Sequence, residues 1–111
     1  MLIQQVQVAI TPGQQTRFET ALLEVRRLAF QAPGFRRFDV AQGADQPTQY
    51  QIQVFWETAE ELGDYVTSDA FEQTWAPVHP FLTRPLLINV FLERPSLDFQ
   101  GPGVLPDVVG Y

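Results

Sequence analysis

Few side chains in this protein are equipped for chemistry, and most of those lie between residues 56 and 79. His79 is the sole histidine and sits between Pro77 and Pro80, near a helix end. A catalytic histidine needs an orienting partner, and the sequence shows none, so a polar helix-terminus residue bonded to backbone or water is the stronger reading. Tyr65 and His79 stand as the two candidates for proton handling. The two serines, Ser68 and Ser96, sit in no nucleophile elbow, and Ser68 reads as a helix cap. Cysteine is absent, which removes disulfides, thiolate catalysis and Cys-type zinc or iron–sulfur sites. With one histidine besides, no metal site is expected. All seven basic residues are arginine, so no Schiff-base amine exists.

The aromatic residues are the better lead. Nine phenylalanines, three tyrosines and two tryptophans are enough to line a flat apolar cavity. Ordinary core packing accounts for most of them. Tyrosine and tryptophan, however, prefer sites where one edge meets a polar partner. Trp56, Tyr65, Trp75 and His79 are therefore the candidate pocket-lining residues, with Phe35, Phe38, Phe71 and Phe81 as possible additions.

These residues must be positioned by a small set of elements. Leu2 to Ile10 alternates as a strand, with Val6, Val8 and Ile10 on one face and Gln5 and Gln7 on the other. Thr11-Pro-Gly-Gln14 predicts a capping box that opens a helix to about Gln31, with Phe18, Leu22, Val25 and Ala29 on its apolar stripe. Pro33-Gly34 ends it. Phe35 to Ala41 reads as an edge strand guarded by Arg36, Arg37 and Asp39. Tyr50 to Trp56 is a third strand. Thr58-Ala-Glu-Glu61 caps a short helix, and Ser68-Asp69 caps another that carries Phe71, Trp75 and Val78. Leu86 to Leu92 closes the series as a fourth strand. The order β-α-β-β-α-β is that of an α+β ferredoxin-like domain: a four-stranded antiparallel sheet with helices on one face. Residues 1–93 form that domain, and 94–111 a Pro/Gly-rich C-terminal arm. The arm carries Leu97, Phe99, Val104, Leu105, Val108, Val109 and Tyr111, too many apolar residues for a solvated tail. It reads as packed across a surface, either of its own subunit or of a partner.

Helices on one face leave the other to be covered. The outward positions Gln5, Gln7, Gln51, Gln53, Phe55, Leu87, Asn89 and Phe91 carry no charge. A solvated antiparallel face alternates in Lys, Glu and Arg. Interface cores are depleted of charge and enriched in aromatics, and amides are less costly than ions to desolvate. Sheet-to-sheet homodimerisation through Gln5, Gln7, Gln51, Gln53, Asn89 and Phe91 is expected, against a wet amide face on a monomer. The net charge of −6 works against nucleic-acid binding, and no stretch is long and apolar enough to span a bilayer. The start has no signal-peptide pattern, so cytoplasm is the expected location.

With strands and caps in place, residues 2 to 93 resemble the antibiotic biosynthesis monooxygenase (ABM) family of dimeric α+β barrels. The resemblance rests on Val54-Phe-Trp-Glu-Thr-Ala-Glu-Glu-Leu62, then Tyr65, then Ser68-Asp-Ala-Phe71 with Trp75. It implies a homodimer with facing sheets and a pocket in each subunit between sheet and helices. Some members oxidise polycyclic phenols with molecular oxygen and no metal or flavin, so the resemblance implies a cofactor-independent monooxygenase acting on a small aromatic metabolite. A non-catalytic barrel that binds a ligand or partner is the alternative. A haem-degrading branch uses an asparagine, a tryptophan and a histidine where this chain has Val6, Tyr65 and Trp75, so haem degradation is disfavoured. An RNA-binding sheet of the same topology needs basic charge that the chain lacks.

Overall fold

A computed structural model describes residues 1–95. The elements run β1 (Leu2–Ala9), α1 (Gln15–Ala29), β2 (Phe35–Gln42), β3 (Gln49–Trp56), α2 (Ala59–Val66), α3 (Ala70–Trp75), a 3₁₀ segment (Ala76–Phe81) and β4 (Leu87–Leu92). The strands form one antiparallel sheet in the order β2-β3-β1-β4. This is the expected ferredoxin-like α+β fold, with its second helical section split in two. Beyond Pro95 the expected C-terminal arm lies outside the described residues.

Alternation along the central strands sets the core. Val6, Val8, Ile52, Val54 and Trp56 point inward and are buried, and α1 meets them with Phe18, Leu22, Val25 and Ala29. Leu62 and Tyr65 of α2, Trp75 of α3 and Val78 complete the cluster. Helix α1 packs on α3 and the 3₁₀ segment, while α2 packs on α3 and β3. Burial of these large apolar side chains, at roughly 1.5–3 kcal/mol each, is the main force holding helices to sheet.

Local signals act mostly as expected. The Thr58 hydroxyl accepts from the Glu61 amide at 3.1 Å, the predicted N-cap, and donates to the Glu61 carboxylate at 3.0 Å, so the carboxylate is held by the hydroxyl in place of the Thr58 backbone amide. The Ser68 hydroxyl accepts from the Ala70 amide at 3.2 Å and donates to the Tyr65 carbonyl at 2.9 Å, linking α2 to α3. Gly34, at φ 86°, makes the turn that only glycine enters without strain, and it sits against the Glu61 side chain.

The expected capping box at Thr11 does not form. Ile10 bridges Leu82, and the Thr11 amide donates to the Phe81 carbonyl at 2.9 Å, so this stretch continues the sheet. Helix α1 starts later, at Gln15, and Gln14 precedes it with no side-chain cap.

Register also corrects the composition of the open face. One row across the sheet runs Asp39, Gln53, Gln5, Asn89; the next runs Ala41, Gln51, Gln7, Leu87; a third runs Arg37, Phe55, Ile3, Phe91. The shift between Phe35 and Arg37 is a bulge that brings Arg37 onto this face, over the Phe55 ring at 5.2 Å and paired with Asp39 at 2.9 Å. The β3, β1 and β4 positions of the face are uncharged, as expected, but its β2 margin carries an ion pair. At the opposite edge, every residue of β4 is exposed, from 39% for Ile88 to 64% for Leu92. No helix of the described residues is long and apolar enough to cross a membrane.

Candidate ligand cavity

The structure joins Trp56 and Tyr65 in one aromatic stack, brings Trp75 against Tyr65, and leaves His79 apart on the surface. Trp56, at the end of β3, is fully buried, with the Tyr65 ring 4.6 Å away and Phe35 against its edge at 6.2 Å. Tyr65 in turn meets Phe71 at 5.8 Å. Trp75 is buried too; it stacks on Phe38 of β2 at 6.3 Å and also meets Tyr65. His79 is exposed on the 3₁₀ segment, where Pro77 and Pro80 hold the backbone and Val78, not His79, turns inward. His79 is not among the lining residues of either cavity described below.

Burial pushes the Tyr65 phenol up from its ordinary value, while its contacts with Thr74 and Trp75 offset part of the rise. At neutral pH it is a neutral hydrogen-bond donor and not a base.

Between helices and sheet lies a cavity of about 470 Å³. Its floor is Leu2 and Gln4 of β1, one wall is Ala59, Leu62, Gly63 and Val66 of α2 with Phe71 of α3, and the other is Ile88 and Val90 of β4. The volume is that of a small-molecule site, and Gln4 is its one polar lining side chain. The cavity exists because α2 packs on β3 and α3 and leaves the inward face of β4 uncovered. Gly63 adds room, since a Cβ built there meets nothing within 4 Å. A second cavity of about 370 Å³ lies between the end of α1 and helices α2 and α3, with Glu61, Asp64, Tyr65, Ser68 and Gln73 on its wall. Leu28, Ala32, Pro33 and Ala70 share that wall, so it is mixed in character. The sheet-side cavity presents apolar surface that a ligand would desolvate with gain, and it is the better site.

Gln4 was not singled out by its chemistry, although a signal exists. It shares the inward phase of Val6, Val8 and Ile10, where an amide is out of place. Its side chain is fully buried, and its Oε1 accepts from the Trp56 indole N–H at 3.3 Å. Its Nε2 finds no acceptor among the described residues. Among those residues no three His, Cys, Asp or Glu side chains gather into a metal-holding group.

Comparison with known proteins agrees with this geometry. A Bordetella bronchiseptica protein named for antibiotic biosynthesis monooxygenases superposes with a TM-score of 0.73 at 22% identity, covering 84% of this chain and 97% of its own. A Deinococcus radiodurans protein of the same designation gives 0.73 at 15% identity, over 91% of this chain and 100% of its own. SnoaB of Streptomyces nogalater, a cofactor-independent oxygenase, gives 0.72 at 16% identity, over 86% and 95%. At these identities the likeness establishes the fold alone. No curated protein sequence matches the chain significantly. The sequence profile of the antibiotic biosynthesis monooxygenase family, however, matches residues 1–76, the larger part of the molecule, and the chain belongs to that family.

Proposed function

We propose that this protein is a cofactor-independent monooxygenase of the ABM type, acting on a small aromatic or polycyclic metabolite as a cytoplasmic homodimer. The observation that carries the reading is the apolar cavity between sheet and helices, backed by the Trp56–Tyr65–Phe71 stack. In such a reaction an activated CH₂ of the substrate becomes C=O. Molecular oxygen supplies that oxygen atom, and its second atom leaves as water with the two hydrogens. The substrate supplies all the electrons, so the protein need only orient it, exclude water and leave a path for oxygen.

No lining residue of the cavity titrates near neutral pH. The reading therefore assigns ionisation to substrates whose activated CH₂ loses a proton readily, such as anthrones. Oxygen uptake, followed with an electrode across a panel of such compounds, tests it. The expected result is protein-dependent uptake whose pH profile follows each substrate's own pKa and which Gly63→Leu suppresses by filling the cavity. A flat trace across the panel overturns the enzyme reading. The second reading, a non-catalytic barrel that binds the same class of molecule, is favoured by that lack of a titratable lining group and predicts binding without uptake.

A further inference from the structure

The helix side of β4 has no cover among the described residues, and the proposed dimer does not supply one. Ile88 and Val90 share the inward phase of their β1 partners Val6 and Gln4. Those partners are fully buried, yet Ile88 is 39% and Val90 52% exposed. A second copy on the amide face would cover Leu87, Asn89 and Phe91, which point the other way. Ile88, Val90 and Leu92 would still face water, beside the exposed Val66 of α2. An apolar strip of this kind marks a docking surface. We propose that its occupant is this chain's own segment 96–111, which lies outside the described residues and folds back over the strip to cover the open side of the sheet-side cavity. The proposal goes beyond the proposed function and does not depend on what the cavity holds.

Three observations favour this occupant. The first is where the chain leaves the sheet. Leu92 pairs with Leu2, a lining residue of the cavity, and the Glu93 amide donates to the Met1 carbonyl at 2.9 Å. The segment therefore starts at one end of the strip, on the right subunit, whereas a second copy on the amide face lies across the sheet from it. The second is length. The six residues of β4 span about 20 Å. The sixteen residues from 96 to 111 reach on the order of 50 Å when extended, enough to double back along the whole strand. The third is composition. Leu97, Phe99, Val104, Leu105, Val108 and Val109 are set against only two charges, Asp98 and Asp107. The lining of the groove carries no charge either, so aliphatic side chains laid along it gain by leaving water. Gly101-Pro-Gly103 suits a reversal of direction, and Pro106 opposes a helix that would be too wide for the strip.

Methyl NMR on the full chain tests it. In uniformly labelled protein, nuclear Overhauser contacts are expected from the Ile88 and Val90 methyls to side chains of residues 97–109. An isotope-filtered spectrum of labelled chains refolded together with unlabelled ones shows contacts between copies only, and these cross-peaks are expected to be missing from it. The double substitution Val104→Asp, Leu105→Asp is expected to free the strip. The contacts then disappear, and the fluorescence of added anilinonaphthalene sulfonate, a dye that lights up on exposed apolar surface, rises severalfold. Native protein without the contacts overturns the proposal and leaves the strip to a ligand or a foreign partner. Contacts that appear in the filtered spectrum assign the strip to a second copy's segment and overturn it too. Dye fluorescence that stays at the native level in the double variant has the same force, because the strip was then open from the start. The native spectra decide the matter even if the variant aggregates. Loss of oxygen uptake would bear on the proposed function alone, since none of these readouts involves a substrate.

Discussion

Two buried aromatic residues with polar ends show how single side chains tie the layers of this molecule together. Trp56 joins β3 to β1 through Gln4. Tyr50 joins β3 to α1: its hydroxyl donates to the Glu19 carboxylate at 2.6 Å and accepts from the Gln42 amide at 3.2 Å. Burial, then the hydrogen bond to Glu19, then the charge of that carboxylate push the Tyr50 phenol well above its ordinary value. In the unfolded chain it ionises near pH 10. The folded state therefore keeps its proton after the unfolded state has released it. Stability from this group is complete below about pH 10 and falls as pH rises beyond it. Urea midpoints measured from pH 7 to pH 11 are expected to drop at the alkaline end, and Tyr50→Phe is expected to make the drop shallower. An unchanged slope in the variant would contradict that account. Residue types alone carried part of the aromatic packing beside the cavity, though not the cavity's lining. Trp56 and Tyr65 were legible because aromatics near a strand end and on a short helix must pack together. Gln4 was hidden because its neighbours Gln5 and Gln7 read as one polar set, and only the pleat separates it from them. Rarity in composition says nothing of direction: His79 lies exposed on a 3₁₀ turn between Pro77 and Pro80, a placement its being the sole histidine does not reveal.

At the scale of elements, caps were legible where they are purely local and illegible where tertiary pairing competes. Thr58 and Glu61 need only each other, and the predicted side-chain cap forms. Thr11 has the same local pattern, but its backbone is drawn into pairing with the 81–83 segment, and α1 begins without a side-chain cap. The contrast makes a prediction. Thr58→Ala is expected to cost about 1 kcal/mol in urea unfolding, the usual loss for an N-cap. Thr11→Ala is expected to cost less, because its hydroxyl makes only a 3.4 Å exposed contact to the Phe81 carbonyl. A larger effect at Thr11 than at Thr58 would show that the pattern, and not the observed geometry, governs the start of α1. Strand β2 was read as an edge from its charges, and it is one. The bulge that sets Arg37 beside Phe55 depends on one extra residue in the pairing, which no composition argument registers.

The whole molecule is a two-layer fold with an unusual second surface. Four aligned positions, Asp39, Gln53, Gln5 and Asn89, cross the sheet in one row, and three of them are amides. Beside that row Phe55, Ile3 and Phe91 form an apolar band, and β4 exposes apolar side chains on both its faces. A strand of this kind left in water is an aggregation hazard that natural sheets blunt with charge, as β2 does here and β4 does not. The proposed homodimer removes that hazard by burying the open faces of β3, β1 and β4 against a second copy, with the β2 ion pair at its rim. Light scattering is then expected to return about twice the 12.6 kDa chain mass. Gln5 and Gln53 face each other at the centre of the row, so the double substitution Gln5→Glu, Gln53→Glu would place four carboxylates in one desolvated patch of the dimer. Ions of like sign there find no counter-charge among their cross-strand partners, and the assembly is expected to dissociate to a single chain mass. Because β4 would then be uncovered, the dissociated protein is also expected to aggregate on heating at lower temperature than the native dimer. A native protein that runs at the mass of one chain, or a double variant that still runs at twice it, would place the cover of this sheet somewhere other than a second copy's amide face.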